Sequence, residues 1–186
     1  MINTQTERVV DDVLSLWKYP ERVVMAVCRR PGGGANIITL AWKMRTSFRP
    51  PLLAISVGLS RFSHGLILRE KEFVLAVPGE KMAQAALFCG TNTGEKLDKF
   101  QAAALTPLPA RLVGAPLIAE AAANFECRVT GSLKTGDHTI FAAEIVSAWS
   151  SPRPERILLS VADLPGFKVL VEGERHRLGI VAGEGE

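Results

Sequence analysis

Apolar residues at the start of the chain recur at helical spacing. Val9, Val10, Val13, Leu14 and Trp17 lie three and four residues apart, which predicts an amphipathic helix over 6–17. Beyond it the period becomes that of strands. Two runs rich in β-branched residues, Arg22 to Arg30 and Asn36 to Met44, flank Pro31, Gly32, Gly33, Gly34 and Ala35. That pattern predicts a hairpin whose glycines supply positive φ angles and let backbone approach a ligand. Leu52 to Gly58 starts after Pro50 and Pro51 and ends on glycine, so it reads as a buried strand. Ser60 is the expected N-cap of a helix over Phe62 to Arg69, and Glu72 to Val77 returns to strand before Pro78 and Gly79 break it.

Lys81 to Phe88 is Ala-rich, and Lys96 to Ala104 carries Leu97, Phe100 and Ala104 at helical spacing, so two further helices are expected. Asn124 to Leu133 and Thr139 to Trp149 predict a long hairpin joined through Lys134, Thr135, Gly136, Asp137 and His138. The tail over 150–186 is rich in Pro, Gly and charge; one strand, Phe167 to Val171, is expected there, with frayed last residues. Short strands between turn signals, with helices inserted rather than alternating, predict a mainly β antiparallel barrel and not a doubly wound parallel sheet.

The length of 186 residues suits one domain over 1–186 with one sizeable core. With 47% hydrophobic and 22% charged residues, the composition is that of a globular chain. The net charge of +3 is interspersed, without a block of like charges, which argues against nucleic-acid binding. A few cations lining one cleft would still favour phosphate-bearing ligands. Met1 to Glu7 does not have the make-up of a secretory leader, and the longest apolar runs are too short to span a bilayer, so a cytoplasmic location is expected. Cys28, Cys89 and Cys127 are widely spaced, as expected of buried reduced thiols rather than disulfide partners or zinc ligands.

Four constellations bear on chemistry. The triple glycine lacks the Lys and Ser or Thr of a P-loop and leads into a strand, so a plain turn is favoured. Ser60-Arg61-Phe62-Ser63-His64 follows the strand ending at Gly58, and its helix-start amides, hydroxyls and guanidinium are equally consistent with a monophosphate cradle and with a solvated helix start. The strand Asn36 to Trp42, with Thr39 and Ala41 among branched residues, can lay its backbone against a flat ring. His138, beside Asp137 in a predicted hairpin, reads either as a solvated turn residue or as a group that donates a hydrogen bond or handles a proton. Ser63 and His64 are adjacent, which argues against a triad. His176 carries no signal, and no metal-ligand spacing occurs.

An ordered series of segments is similar to the flavin reductase-like family, especially its flavoredoxin branch. The series comprises Asn36-Ile37-Ile38-Thr39-Leu40-Ala41-Trp42, Ser47-Phe48-Arg49-Pro50-Pro51, Ser56-Val57-Gly58 and Arg61-Phe62-Ser63-His64. It continues through Phe73-Val74, Val77-Pro78, Cys89-Gly90, Thr93-Gly94, Asp98-Lys99-Phe100, Leu105-Thr106-Pro107, Ala115-Pro116-Leu117-Ile118, Glu126-Cys127 and Gly136-Asp137-His138-Thr139, and so covers roughly residues 20–150. The resemblance implies a Greek-key-like split barrel that binds FMN at a homodimer interface. Transferred residue by residue, it puts Asn36 to Trp42 along the isoalloxazine, with the backbone of Thr39, Leu40 and Ala41 at its polar edge. Ser56, Val57 and Gly58 with Arg61, Phe62, Ser63 and His64 would hold the ribityl phosphate. Cys89, Gly90, Lys99 and Phe100 would border the flavin, and His138 would stand near the nicotinamide or the flavin face as the catalytic candidate. Where relatives often carry arginine after the glycine, this chain reads Glu95-Lys96-Leu97, which leaves Lys96 and Lys99 as candidates for the positive charge there.

The implied activity is hydride transfer from NADH or NADPH to bound FMN, with electrons passed on to a flavin, a metal complex or a protein. The alternatives are an FMN-binding electron carrier reduced by a partner protein and a non-catalytic flavin-binding protein.

Overall fold

The computed structural model describes residue 14 and residues 18–152, 156–162 and 165–183. The helix expected over 6–17 lies, but for Leu14, outside the described residues, as do the last residues of the tail.

The protein is mainly β. The strands are β1 (Glu21–Arg22), β2 (Val24–Arg29), β3 (Ala35–Leu40), β4 (Lys43–Ser47), β5 (Leu52–Gly58), β6 (Glu72–Val77), β7 (Pro107–Leu108), β8 (Leu117–Ile118), β9 (Ala123–Thr135), β10 (His138–Ser150), β11 (Leu159–Ser160), β12 (Phe167–Glu172) and β13 (Arg177–Val181). Helices α1 (Phe62–Glu70), α2 (Ala83–Thr91) and α3 (Lys99–Ala102) are inserted among them. Seven strands form one antiparallel sheet in the order β3-β2-β6-β9-β10-β5-β4, and a second sheet has the order β1-β11-β13-β12. The seven-stranded order is open: among the described residues no ladder joins β3 to β4.

Both faces of the large sheet are covered, which explains why β2 is continuously apolar from Val24 to Cys28 rather than alternating. Met25 and Val27 enter one core with Ile37, Ala86, Phe100 and Leu158, whereas Val24, Ala26 and Cys28 enter the other with Ile55, Ile67, Phe73 and Phe141. The β9–β10 hairpin turns on Gly136 and Asp137, and Gly136 has φ +57°, the region a two-residue hairpin turn requires.

Four sequence expectations change. The run Asn36 to Met44 is two strands, because the chain leaves β2 after Leu40 and takes up β5 from Lys43, while the Trp42 carbonyl accepts from the Ser56 amide at 2.9 Å. The N-cap of α1 is Arg61, without a side-chain cap, not Ser60. The helix expected over Lys96 to Ala104 is only the four-residue α3. Asp98 caps it by accepting from the Phe100 and Gln101 amides, and the Arg30 guanidinium binds the Glu95 and Leu97 carbonyls before it. The tail holds three strands rather than one, and they pair back onto β1 through Glu21↔Ser160 and Arg22↔Leu159.

A buried carboxylate fixes the loop before β8. Glu126 is fully buried and accepts from the Arg111, Leu112 and Val113 amides and from Trp149 Nε1 at 2.7 Å. Burial alone would raise its carboxyl, but the Trp149 indole and the three amides outweigh it and hold the group below the ordinary glutamate range. Among the described residues no helix is long and apolar enough to cross a membrane.

Candidate functional site

Where β3 turns the corner into β4, its backbone lines a cleft facing α2. Two contacts set the separation. Thr39 Oγ1 donates to the Ala86 carbonyl at 2.7 Å, and Gly90 sits so close to Thr39 that a Cβ there would come within 3.3 Å of the threonine Cβ. The absent side chain keeps strand and helix near each other.

The cleft has two lobes. The first, of about 340 Å³, is lined by Ile38, Thr39, Leu40, Ala41 and Trp42 from the β3–β4 corner, by Ser56, Val57 and Gly58 from the end of β5, and by Ala86, Leu87, Gly90 and Thr91 from α2. Arg61 and His138 complete it together with Lys18, Val23, Ser160, His176 and Leu178. The second lobe, of about 290 Å³, is lined by Asn36, Ile38, Ser60, Arg61, Phe62, Ser63, the segment from Cys89 to Gly94, and Lys99. Ile38, Arg61, Gly90 and Thr91 border both lobes.

Most sequence-selected residues therefore converge. His64 and Phe100 do not line the cleft: His64 Nε2 bonds Thr139 Oγ1 at 2.9 Å and its ring lies against Phe141, while Phe100 is buried in the core. Burial holds the His64 imidazole below its usual value. The triple glycine lines neither lobe. Lys99 is in the wall of the second lobe, whereas Lys96 is exposed outside it.

Each polar group has a definable state. Lys99 is buried, and its Nζ donates to the Ile37 and Cys89 carbonyls, both at 2.7 Å, with no carboxylate partner among the described residues. Burial depresses its amine, with the Arg61 charge acting in the same direction. Asn36 Nδ2 donates to Ser63 Oγ at 2.7 Å, and Asn36 Oδ1 is buried without a partner. An unsatisfied acceptor in a cavity wall is an attachment point for a ligand donor. The Arg61 guanidinium is exposed and makes no ion pair among the described residues.

His138 pairs with Gly58 across β10 and β5. Its Nδ1 bonds Asp137 Oδ1 at 2.7 Å, and its ring stands 4.8 Å from that of Trp42, tilted by 41°. The partnership holds the Asp137 carboxyl below its ordinary value and leaves Nε2 as the ring nitrogen on the cleft side, near Gly58. Cys89, although it borders the second lobe, is no nucleophile: burial raises its thiol to about 11.

Among the described residues no Asp or Glu lines either lobe, while Lys18, Arg61 and Lys99 do, with His138 and His176 at the first. Such a cleft focuses a positive potential on an anionic ligand. Sequence reasoning missed Lys18, Ser160, His176 and Leu178. They reach the first lobe through the pairing of β1, β11 and β13, which no local pattern announces.

The family model described as flavin reductase like domain matches residues 16–162. A protein of Archaeoglobus fulgidus described only as uncharacterized is 40% identical over 130 residues, covering 69% of this chain and 71% of that one. An NADH-dependent FAD reductase of Streptomyces globisporus is 32% identical over 115 residues, covering 61% and 62% of the two chains. Among solved structures, the flavoredoxin of Methanosarcina acetivorans superposes with a TM-score of 0.78 at 24% identity, covering 97% of this chain and 93% of that one. The Streptomyces globisporus NADH:FAD oxidoreductase gives 0.72 at 26% identity, covering 83% and 93%. The chain belongs to the flavin reductase-like domain family.

Proposed function

We propose that the protein is an FMN-binding oxidoreductase that uses NADH or NADPH and passes electrons on to a flavin, a metal complex or a protein. One observation carries this reading: a cleft floored by strand backbone which, among the described residues, is lined by no carboxylate and holds a buried cation, an unpaired guanidinium and an unspent buried acceptor. These groups fit a flat ring bearing a phosphate. The named activity of the Streptomyces globisporus relative supports the nicotinamide-dependent form of the proposal. Bound FMN supplies the capacity to accept a hydride and release electrons.

The chain's own residues bind, orient and exclude water. The backbone of Thr39, Leu40 and Ala41 offers hydrogen-bonding groups to the edge of the ring, and Gly90 leaves room for it beside α2. Arg61, Ser60 and Ser63 hold the phosphate, and Lys99 adds a desolvated charge whose position two carbonyls fix. Asn36 Oδ1 accepts from a ligand hydroxyl. His138, oriented through Nδ1 by Asp137, holds or moves a proton at Nε2. The proposal includes a homodimer, since Trp42, Met44 and Phe48 at the β4 edge are 51%, 58% and 77% exposed and a second copy would cover them beside the cleft.

The phosphate assignment has a direct check. Arg61→Ala should weaken FMN about tenfold or more while changing riboflavin about twofold or less, because only FMN carries the phosphate. Fluorescence titration of both ligands measures this. Equal losses would place the phosphate elsewhere.

A further inference from the structure

The tail beyond the family-matched segment carries an imidazole into the cleft. His176 lies in the turn between β12 and β13, where the Gly173 amide donates to the His176 carbonyl at 2.8 Å, and it lines the first lobe with Lys18 and Arg61. The turn is seated on α2: a Cβ on Gly173 would come within 3.2 Å of Leu87. Lys18, Arg61 and His176 come from three separate parts of the chain, and none has an ion pair among the described residues. Burial, then the charges of Lys18, Arg61 and Arg175, hold the His176 imidazole below its usual value. Lys18 and Arg61 are like charges gathered at one rim with an imidazole whose protonated form they disfavour, and an anion between the three removes that cost.

Resting on the reading above, we propose that Lys18 and His176, with Arg61 between the lobes, form a rim that takes the phosphates of the incoming nicotinamide dinucleotide, so that the β12–β13 hairpin sets nucleotide affinity. Phosphate chemistry alone fits two sources, the dinucleotide and FMN itself. The geometry separates them, because Lys18 and His176 line only the first lobe, whereas Asn36, Ser63 and Lys99 line only the second. Arg61, which borders both, is the residue through which the two phosphate sites communicate.

Calorimetric titration of the full chain with NAD+, NADP+ and nicotinamide riboside, for the wild type and the Lys18→Gln/His176→Gln double variant, tests the proposal without turnover. Loss of the Lys18 charge and of the His176 imidazole, whose protonated form a bound phosphate favours, should weaken NAD+ and NADP+ about tenfold and leave the phosphate-free riboside unchanged, with FMN affinity held within about twofold. A weakening of FMN with NAD+ and NADP+ unaffected would assign the rim to the flavin phosphate and overturn the proposal. Unchanged affinity for all four ligands would make the rim a solvated face and overturn it equally. Nucleotide binding is read directly, so failure of the wild type to take up FMN would refute the flavin reading while leaving the rim result interpretable.

Discussion

Gly94→Ala is expected to weaken FMN about tenfold or more, since overpacking costs about 1–3 kcal/mol and each 1.4 kcal/mol is about tenfold in affinity. A Cβ at this position would fall on Asn36 Oδ1 and come within 2.7 Å of Asn36 Cγ and 3.3 Å of Lys99 Cε. Neither neighbour yields easily. Asn36 is buried and tied to Ser63, and the Lys99 amine is held by two carbonyls. The methyl group must therefore push the loop over 92–98 outward or disturb the second lobe, and either distorts the proposed phosphate end. Fluorescence titration of the variant measures the loss; unchanged affinity would show that the second lobe does not hold the ligand.

The largest stability effect is expected at Glu126, far from the cleft. Glu126→Gln keeps one carbonyl oxygen but sets an NH2 group against N–H donors, and each buried donor left without an acceptor costs about 1–3 kcal/mol. Two of the three amides donate to the same carboxylate oxygen, so a loss of several kcal/mol follows. In the melting temperature that is a fall on the order of 10 °C for a chain of this size. The pH dependence has a definite sign. The folded state holds the carboxyl below its ordinary value of 4.5, so the stabilisation is complete above that value and disappears as pH falls through the depressed folded-state value. Thermal melts from neutral to acidic pH should show the wild type losing stability in that window and the variant losing less. A variant melting at the wild-type temperature would contradict the role given to this carboxylate.

Two strands that frame the cleft-lining backbone were legible because they are bounded by chain chemistry. β5 and β6 run over the predicted residues, Leu52–Gly58 and Glu72–Val77: prolines and a glycine bracket the one, and Pro78-Gly79 ends the other. The corner at Ala41 and Trp42 was not legible, since apolar residues continue through it and no Gly or Pro marks the change of partner from β2 to β5. Lys99 stood out by its place in the motif. Its burial without a carboxylate depends on Ile37 and Cys89, 62 and 10 residues away in the chain. The rim was invisible, because His176 reaches Lys18 only through pairing of β1, β11 and β13, strands too short to show a period.

We propose that the cleft between the β3–β4 corner and α2 holds a phosphorylated flavin able to take electrons from a nicotinamide nucleotide. An anaerobic absorption titration tests it most directly: the purified protein is saturated with FMN, freed of unbound flavin, and mixed with NADH and then NADPH. The account predicts that yellow colour stays with the protein and bleaches with at least one of the two nucleotides. Protein that emerges colourless, or colour that neither nucleotide bleaches, would contradict it.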